Sequence, residues 1–154
     1  MPGYADIYTL STKRTAEFVK AFVDHFLPEY EESAVEYEIP QYADQPEIMF
    51  YTAPDLIEYC CTHLSAVQTI YWHNTTLMRP EHAMVFFLSD GHVVFGLSTD
   101  MDDEDEVQRL FNELQSFVGS TIAYVTYEEV PGLTAEEFID LARRRPFFRE
   151  MKRG

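Results

Sequence analysis

The chain has 154 residues and a mass of 18.0 kDa, a size typical of one folded domain. Hydrophobic residues make up 46% of it and aromatic residues 15%, which excludes a disordered protein, a collagen and a coiled coil. Its 27 acidic and 11 basic residues give a formal net charge of −16, so the body should repel phosphate and bind no nucleic acid directly.

The first half of the chain predicts four strands and two helices. The strands are short runs rich in β-branched and aromatic residues, namely 6–10, 35–39, 48–52 and 67–73. The first helix follows a cap at Ser11 or Thr12 and ends before Pro28. The second helix begins near Pro54, because proline suits the first turn of a helix. Both repeat apolar residues at spacings of three and four, so each should bury one side.

The second half of the chain predicts three strands and two helices. The strands are 84–88, 92–97 and 121–127. The first of them is continuously apolar, as is typical of a central strand buried on both faces, and the turn at 89–91 predicts a hairpin to the second. One helix should begin near Asp102 and end at Gly119. Thr134 and Glu137 form a capping-box pattern for the last helix.

This order of elements predicts a single α+β domain over residues 1–142, with a basic C-terminal tail over 143–154. We expect a mostly antiparallel sheet with the helices packed on one face. The part from 47 to 127 resembles the ferredoxin-like β-α-β-β-α-β plan in element order, with one extra strand. Four apolar residues should be buried together in the core: Ile57, Phe86, Phe111 and Leu114.

Charge is unevenly distributed along the chain. Residues 1–142 hold 26 acidic and 5 basic side chains, a net charge of −21. Five carboxylates crowd the start of the third helix, where the helix dipole favours two or three of them. The excess predicts contact with a basic protein partner through Asp102, Asp103, Glu104, Asp105 and Glu106. The spacing does not fit a calcium-binding EF-hand loop, because the required glycine and bidentate glutamate are missing.

The basic tail has three alternative interpretations. Its arginines and lysine can dock on the acidic body of the same chain, contact a second copy in a homodimer, or bind an external polyanion. The helix dipole also favours cations at the end of the last helix, which supports the first alternative. No membrane contact is expected from the body, since no apolar run is long enough to span a bilayer.

A second group of polar residues surrounds the loop after the strand at 67–73. If that strand pairs with 84–88, His73 and His82 flank this loop, and Arg79 and Glu81 lie between them. Such a cluster suits acid–base chemistry or an anionic ligand, whereas the alternative is a solvated loop. His92 lies at the far end of a strand about 17 Å long, so the three histidines cannot share a metal.

The two adjacent cysteines, Cys60 and Cys61, predict buried free thiols in a reducing compartment. Cys60 and His63 lie three residues apart on a predicted helix, but nothing nearby completes a set of zinc ligands. We therefore expect neither a bound metal nor another cofactor. The N-terminal residues lack a signal-peptide pattern, so a cytoplasmic protein is expected.

Two functions of different class follow from these observations. The first is a small acidic protein-binding module, such as an inhibitor or an immunity-type protein that covers a basic partner. The second is an enzyme or small-ligand-binding protein that uses the cluster at His73 and His82. The sequence lacks the phosphate-loop, dinucleotide-binding, zincin and nucleophile-elbow motifs, so those chemistries are not expected. A binding protein should present an acidic face, whereas an enzyme should present a cavity where one of these histidines meets a carboxylate.

Overall fold

Residues 3–145 are described by a computed structural model, which contains one six-stranded sheet, one two-stranded sheet and four helices in that range. The strands are β1 (Tyr4–Ser11), β2 (Tyr30–Glu32), β3 (Tyr37–Ile39), β4 (Ile48–Phe50), β5 (Gln68–Asn74), β6 (His82–Phe87), β7 (Val93–Asp100) and β8 (Ala123–Thr126). The helices are α1 (Ala16–Phe26), α2 (Ala53–Thr62), α3 (Glu104–Val118) and α4 (Ala135–Ala142).

The large sheet has the order β2-β5-β6-β7-β1-β8, and every neighbouring pair is antiparallel. The predicted α+β class with an antiparallel sheet is therefore confirmed. The first strand, β1, lies between β7 and β8, so residues far apart in the chain become neighbours. β4 pairs with β3 in the small sheet, outside the large one. The ferredoxin-like resemblance is consequently limited to the order of elements along the chain.

The helices occupy both faces of the large sheet, which corrects the expected single helical face. α1, α2 and α3 pack on one face, which we call the three-helix face, and α4 packs on the other, the α4 face. The physical reason is that β1, β6 and β7 are buried along almost their whole length. Their alternate apolar side chains point away from the first three helices and need a second cover.

The four predicted core residues are all buried, but they divide between the two faces. Ile57, Phe111 and Leu114 lie together under the three-helix face. Phe86 lies on the α4 face, because the neighbouring side chains on β6 point the other way.

Several element boundaries differ from the predicted ones. Thr15 caps α1, accepting a hydrogen bond from the main-chain N–H of Phe18 at 3.1 Å, because β1 continues through the predicted cap at Ser11. Gly119 ends α3 in the left-handed conformation with φ 80°, and Thr134 caps α4, as predicted. β2 was not predicted at all.

Arg14 connects the end of α2, the loop that follows it and the β6–β7 hairpin. Its buried guanidinium stacks over Phe87, with 5.0 Å between the guanidinium carbon and the ring centroid. It donates hydrogen bonds to five main-chain carbonyls, those of Cys60 (3.0 Å), His63 (3.3 Å), Ala66 (3.0 Å), Leu88 (2.8 Å) and His92 (3.0 Å). These bonds tie the end of α2 to the β6–β7 hairpin, and burial lowers the pKa of Arg14 from its ordinary value.

Candidate functional site

One row of the large sheet carries a polar side chain on every strand. The strand registers place six residues directly beside one another in strand order, namely Glu31, His73, His82, Ser98, Asp6 and Thr126. Directly opposite residues in an antiparallel sheet share a face, and this one is the α4 face because Tyr8, two residues after Asp6, packs there. We call these six residues the polar row.

Polar contacts join members of the polar row to one another and to the loop after β8. His73 Nε2 lies 3.4 Å from Glu31 Oε1. His82 Nδ1 lies 3.0 Å from the hydroxyl of Ser98. At the other end, the Thr126 hydroxyl donates to the carboxylate of Glu129 at 2.9 Å. The row therefore brings two imidazoles within reach of acidic and hydroxyl groups on one sheet face.

A cavity of about 330 Å³ lies over the centre of the polar row, and we call it the row cavity. Its lining combines three carboxylates with aromatic rings: Asp6, Glu128, Glu129, Tyr8, Tyr71 and His82. A second cavity of about 400 Å³ shares Tyr71 and Val130 with it and has a mainly apolar lining that includes Phe86 and Leu133. The two cavities are thus adjacent, with Tyr71 and Val130 lining both.

Gly96 on β7 makes room for the ring of Tyr8 under the row cavity. A Cβ atom at Gly96 would lie 2.8 Å from that ring, which is closer than two carbons can pack. The Tyr8 hydroxyl reaches the loop after β8 and donates to the carbonyl of Glu129 at 2.6 Å. This contact holds the loop that carries Glu128 and Glu129 against the sheet.

Asp6 is the buried carboxylate of the row cavity. Only 8% of the residue is exposed, and burial raises the pKa of its carboxyl to about 6, although main-chain N–H groups of Glu128 and Glu129 donate to it. Glu128 adopts a left-handed conformation with φ 62°, which is rare for a residue with a side chain. Among the described residues, no lysine or arginine pairs with Asp6.

Two other titratable groups of the row cavity, His82 and Tyr8, are neutral near pH 7. Burial lowers the pKa of His82 from its ordinary value of 6.5, so its imidazole is uncharged there. Burial also raises the pKa of Tyr8 well above its usual range, so its hydroxyl stays protonated. The row cavity is consequently negative at neutral pH.

The predicted cluster around the loop is divided between the two sides of the sheet. His73 and His82 belong to the polar row. Arg79 instead contacts Glu81 at 3.0 Å and the hydroxyl of Thr99 at 3.2 Å, because alternate residues along β6 and β7 face opposite ways. Sequence reasoning missed Asp6, Tyr8 and Ser98; the one local signal is that Asp6 is the only charged residue in β1.

Two of the five carboxylates at the start of α3 have structural partners. Asp103 caps the helix, accepting from the N–H of Glu106 at 3.1 Å. Glu106 pairs with Arg109, one turn further along, and this contact lowers the pKa of its carboxyl. The remaining three are exposed: Asp102, Glu104 and Asp105.

A larger acidic surface lies at the β2 end of the sheet. Residues 21–78 contain ten carboxylates and no lysine or arginine. Eight of the ten are exposed, and Asp24 among them pairs with Lys20 at 2.8 Å. The other seven form what we call the acidic end: Glu29, Glu31, Glu36, Asp44, Glu47, Asp55 and Glu58. Glu32 connects the elements that carry them, because its carboxylate accepts from the hydroxyl of Tyr37 and from the N–H of Ala53, both at 2.9 Å.

Exposed apolar side chains interrupt the carboxylates of the acidic end. Val35 is 86% exposed, Tyr42 80% and Tyr51 67%. Within residues 3–145, Glu31 is the one of these seven carboxylates that forms an ion pair, and its partner is His73. The surface therefore combines mostly unpaired carboxylates with apolar groups in contact with solvent, and Lys20, which lines a cavity together with Glu58, is a basic side chain beside it.

The first residues of the basic tail contact the acidic body. Arg144 pairs with Asp140, and Arg145 pairs with Glu129 at 2.6 Å while lying over the ring of Tyr124. These contacts agree with internal docking for this part of the tail. Residues 146–154 lie outside the described part of the chain.

Both cysteines are free thiols, Cys60 buried and Cys61 half-buried. Within residues 3–145 no group of three or more potential ligands is arranged to hold a metal ion. None of the helices in that range combines the length and apolar character needed to cross a membrane.

No protein-family model matches the chain, and neither a curated protein nor a solved structure matches it.

Proposed function

We propose that this protein is a protein-binding module whose acidic end receives a basic protein partner, as an inhibitor or immunity-type protein does. The observation that carries the proposal is the stretch 21–78, in which ten carboxylates occur without a lysine or arginine. A surface with this charge accelerates the approach of a cationic partner and selects against anionic ones.

The exposed side chains of the acidic end support binding to a protein in particular. Tyrosines are enriched among the residues that contribute most to protein–protein affinity, and Tyr42 and Tyr51 are largely exposed there. In the complex, carboxylates around these rings would pair with the partner's cations while the rings supply buried apolar contact. We place the protein in the cytoplasm as part of the same proposal, because two adjacent free cysteines fit a reducing compartment.

The exposed carboxylates of α3, which the sequence predicts as a partner-binding surface, provide a matched comparison between the two candidate surfaces. The acidic-end variant carries Glu29→Gln, Glu36→Gln and Glu47→Gln. The control variant carries Asp102→Asn, Glu104→Gln and Asp105→Asn, so the two variants have the same net charge. All six side chains are exposed, so neither set should unfold the protein.

The experiment captures proteins from a native lysate on immobilised wild-type protein and on both variants, at low and at high salt. We expect a basic protein that the wild type and the α3 control retain at low salt, that the acidic-end variant loses, and that high salt releases. Equal retention by all three proteins would contradict the proposal. Equal loss from both variants would show that binding follows net charge and not the acidic end.

A further inference from the structure

We propose that the row cavity binds a small organic cation, with a primary ammonium group beside Asp6 and a flat apolar body in the adjoining apolar cavity. This site lies on the α4 face and involves none of the acidic-end carboxylates substituted above. Its lining places His82 beside carboxylates, as expected for the small-ligand-binding alternative. The two proposals share Tyr42, which lines the adjoining apolar cavity, but their tests substitute different residues, so each can fail without the other.

The charge of the lining favours a cation over an anion. Three carboxylates face the row cavity, and Arg145 offsets one of them by pairing with Glu129 at 2.6 Å. Asp6 and Glu128 remain without a cationic partner among the described residues. A buried carboxylate without an opposite charge is costly, and an ammonium group beside Asp6 would supply that charge.

The rings of the lining favour an organic cation over a metal ion. Tyr8 and Tyr71 both line the row cavity, and the ring of Tyr4 packs edge-on against His82 with centroids 5.3 Å apart. Tyrosine faces attract ammonium groups through cation–π contacts. His82 does not oppose the cation, since its imidazole is neutral near pH 7.

The adjoining cavity accounts for the apolar body of the ligand. It lies next to the row cavity, with Tyr71 and Val130 lining both, and its own lining includes Phe86, Pro131 and Leu133. Its volume of about 400 Å³ together with the row cavity of about 330 Å³ falls within the range typical of small-molecule sites. A ligand with an ammonium at one end and an aromatic ring at the other would occupy both.

The test uses 2-phenylethylamine and tryptamine as probes, with 2-phenylethanol as the neutral control and phenylacetate as the anionic control. Titration calorimetry measures affinity, and amide chemical shifts locate the bound probe. We expect the amines to bind at least about 10-fold more tightly than the alcohol, because charge-assisted hydrogen bonds exceed neutral ones in strength. The phenylacetate should show no binding, and the shifts should centre on β1, β6 and β7.

Three substitutions test which side chains contribute to binding of the amines. Asp6→Asn should lower amine affinity about 10-fold, and Tyr71→Leu about 3-fold through loss of the cation–π contact. Asp105→Asn, an exposed carboxylate on the opposite side of the sheet, should leave it unchanged. A thermal melt of each variant confirms folding; if Asp6→Asn fails to fold, Glu128→Gln replaces it, with the same direction of effect expected.

The affinity of the amines should fall about 10-fold from about pH 7.5 to about pH 5, because Asp6 must be ionised to pair with the ammonium, which stays protonated throughout. The groups that face Asp6 from packed elements are Glu128, Glu129, His82, Tyr8, Tyr71 and Tyr124, with Arg145 behind Glu129. His82→Gln separates the imidazole's own titration, and the fall should persist in that variant.

Several results would overturn the proposal. If the alcohol binds as tightly as the amines, the cavity is only an apolar site. If affinity does not change with pH, or Asp105→Asn weakens binding as much as Asp6→Asn does, the ammonium does not lie beside Asp6. If neither amine binds at millimolar concentration, the row cavity is not a site for this class of ligand.

Discussion

Replacing Asp6 with asparagine should stabilise the protein at neutral pH, although it removes a hydrogen-bonded side chain from the interior. Burial raises the pKa of the Asp6 carboxyl from 3.8 to about 6. In the unfolded chain the carboxyl has its ordinary pKa, so the folded protein binds more protons than the unfolded one between these values. Stability therefore falls as pH rises through this window, and remains low above it.

The magnitude follows from the size of the pKa shift. A shift from 3.8 to about 6 corresponds to a cost of at most about 3 kcal/mol at about pH 7.5, and about half of that at about pH 5. Asparagine carries no charge and removes this cost. It accepts from the main-chain N–H groups of Glu128 and Glu129 less well than a carboxylate, which costs about 1 kcal/mol. The expected net gain at about pH 7.5 is about 1–2 kcal/mol.

Urea unfolding of the wild type and of Asp6→Asn at several pH values measures this gain. The gain should shrink by about 1 kcal/mol or more from about pH 7.5 to about pH 5. A variant that is less stable than the wild type at about pH 7.5, or a stability difference independent of pH, would refute the claim that Asp6 is a buried carboxylate with a raised pKa. The proposed ligand site in the row cavity relies on that claim. The predicted gain would mean that this chain retains a destabilising residue, as binding sites often do.

The remaining predictions concern stability and thiol reactivity. Arg14→Met removes five hydrogen bonds from a buried guanidinium to main-chain carbonyls and should lower the free energy of unfolding by about 3 kcal/mol or more; a loss below about 1 kcal/mol in urea would contradict the described role. Phe111→Ala should cost about 3–5 kcal/mol in the same assay, because the ring is fully buried. Burial raises the pKa of Cys60 to about 12 and also raises that of Cys61, so thiol titration should be slow in the native protein and reach two thiols after denaturation. Asp103→Ala should cost about 1 kcal/mol and Asp103→Asn almost nothing, since asparagine is an equally good helix cap.

Elements with strong local signals were predicted well from the sequence. The apolar spacing of α3, the left-handed Gly119 at its end and the capping box at Thr134 depend on residues only a few positions apart. β2 has no such signal, because its three residues are ordered by pairing with β5 and by the hydrogen bonds of Glu32. Its existence is a consequence of tertiary structure, which local patterns do not encode.

The candidate site was less predictable than the fold, because it depends on strand register. His73 and His82 were found because they flank one loop. Asp6 and Ser98 join them only when β1 inserts beside β7, an arrangement that the order of elements does not reveal. The same non-local pairing explains why α4 covers the opposite face, since the outward residues of β1, β6 and β7 need a second layer only once these strands lie in the centre of the sheet.

The association rate constant of the captured basic partner, measured by stopped-flow across a salt series, tests the central proposal most directly. With the acidic-end variant we predict a rate about 10-fold lower at low salt, with the difference shrinking as salt rises. The α3 control should stay close to the wild type, and Tyr51→Ser should increase the dissociation rate without changing the salt dependence. A wild-type association rate for the acidic-end variant at low salt would contradict the assignment of the acidic end as the binding surface.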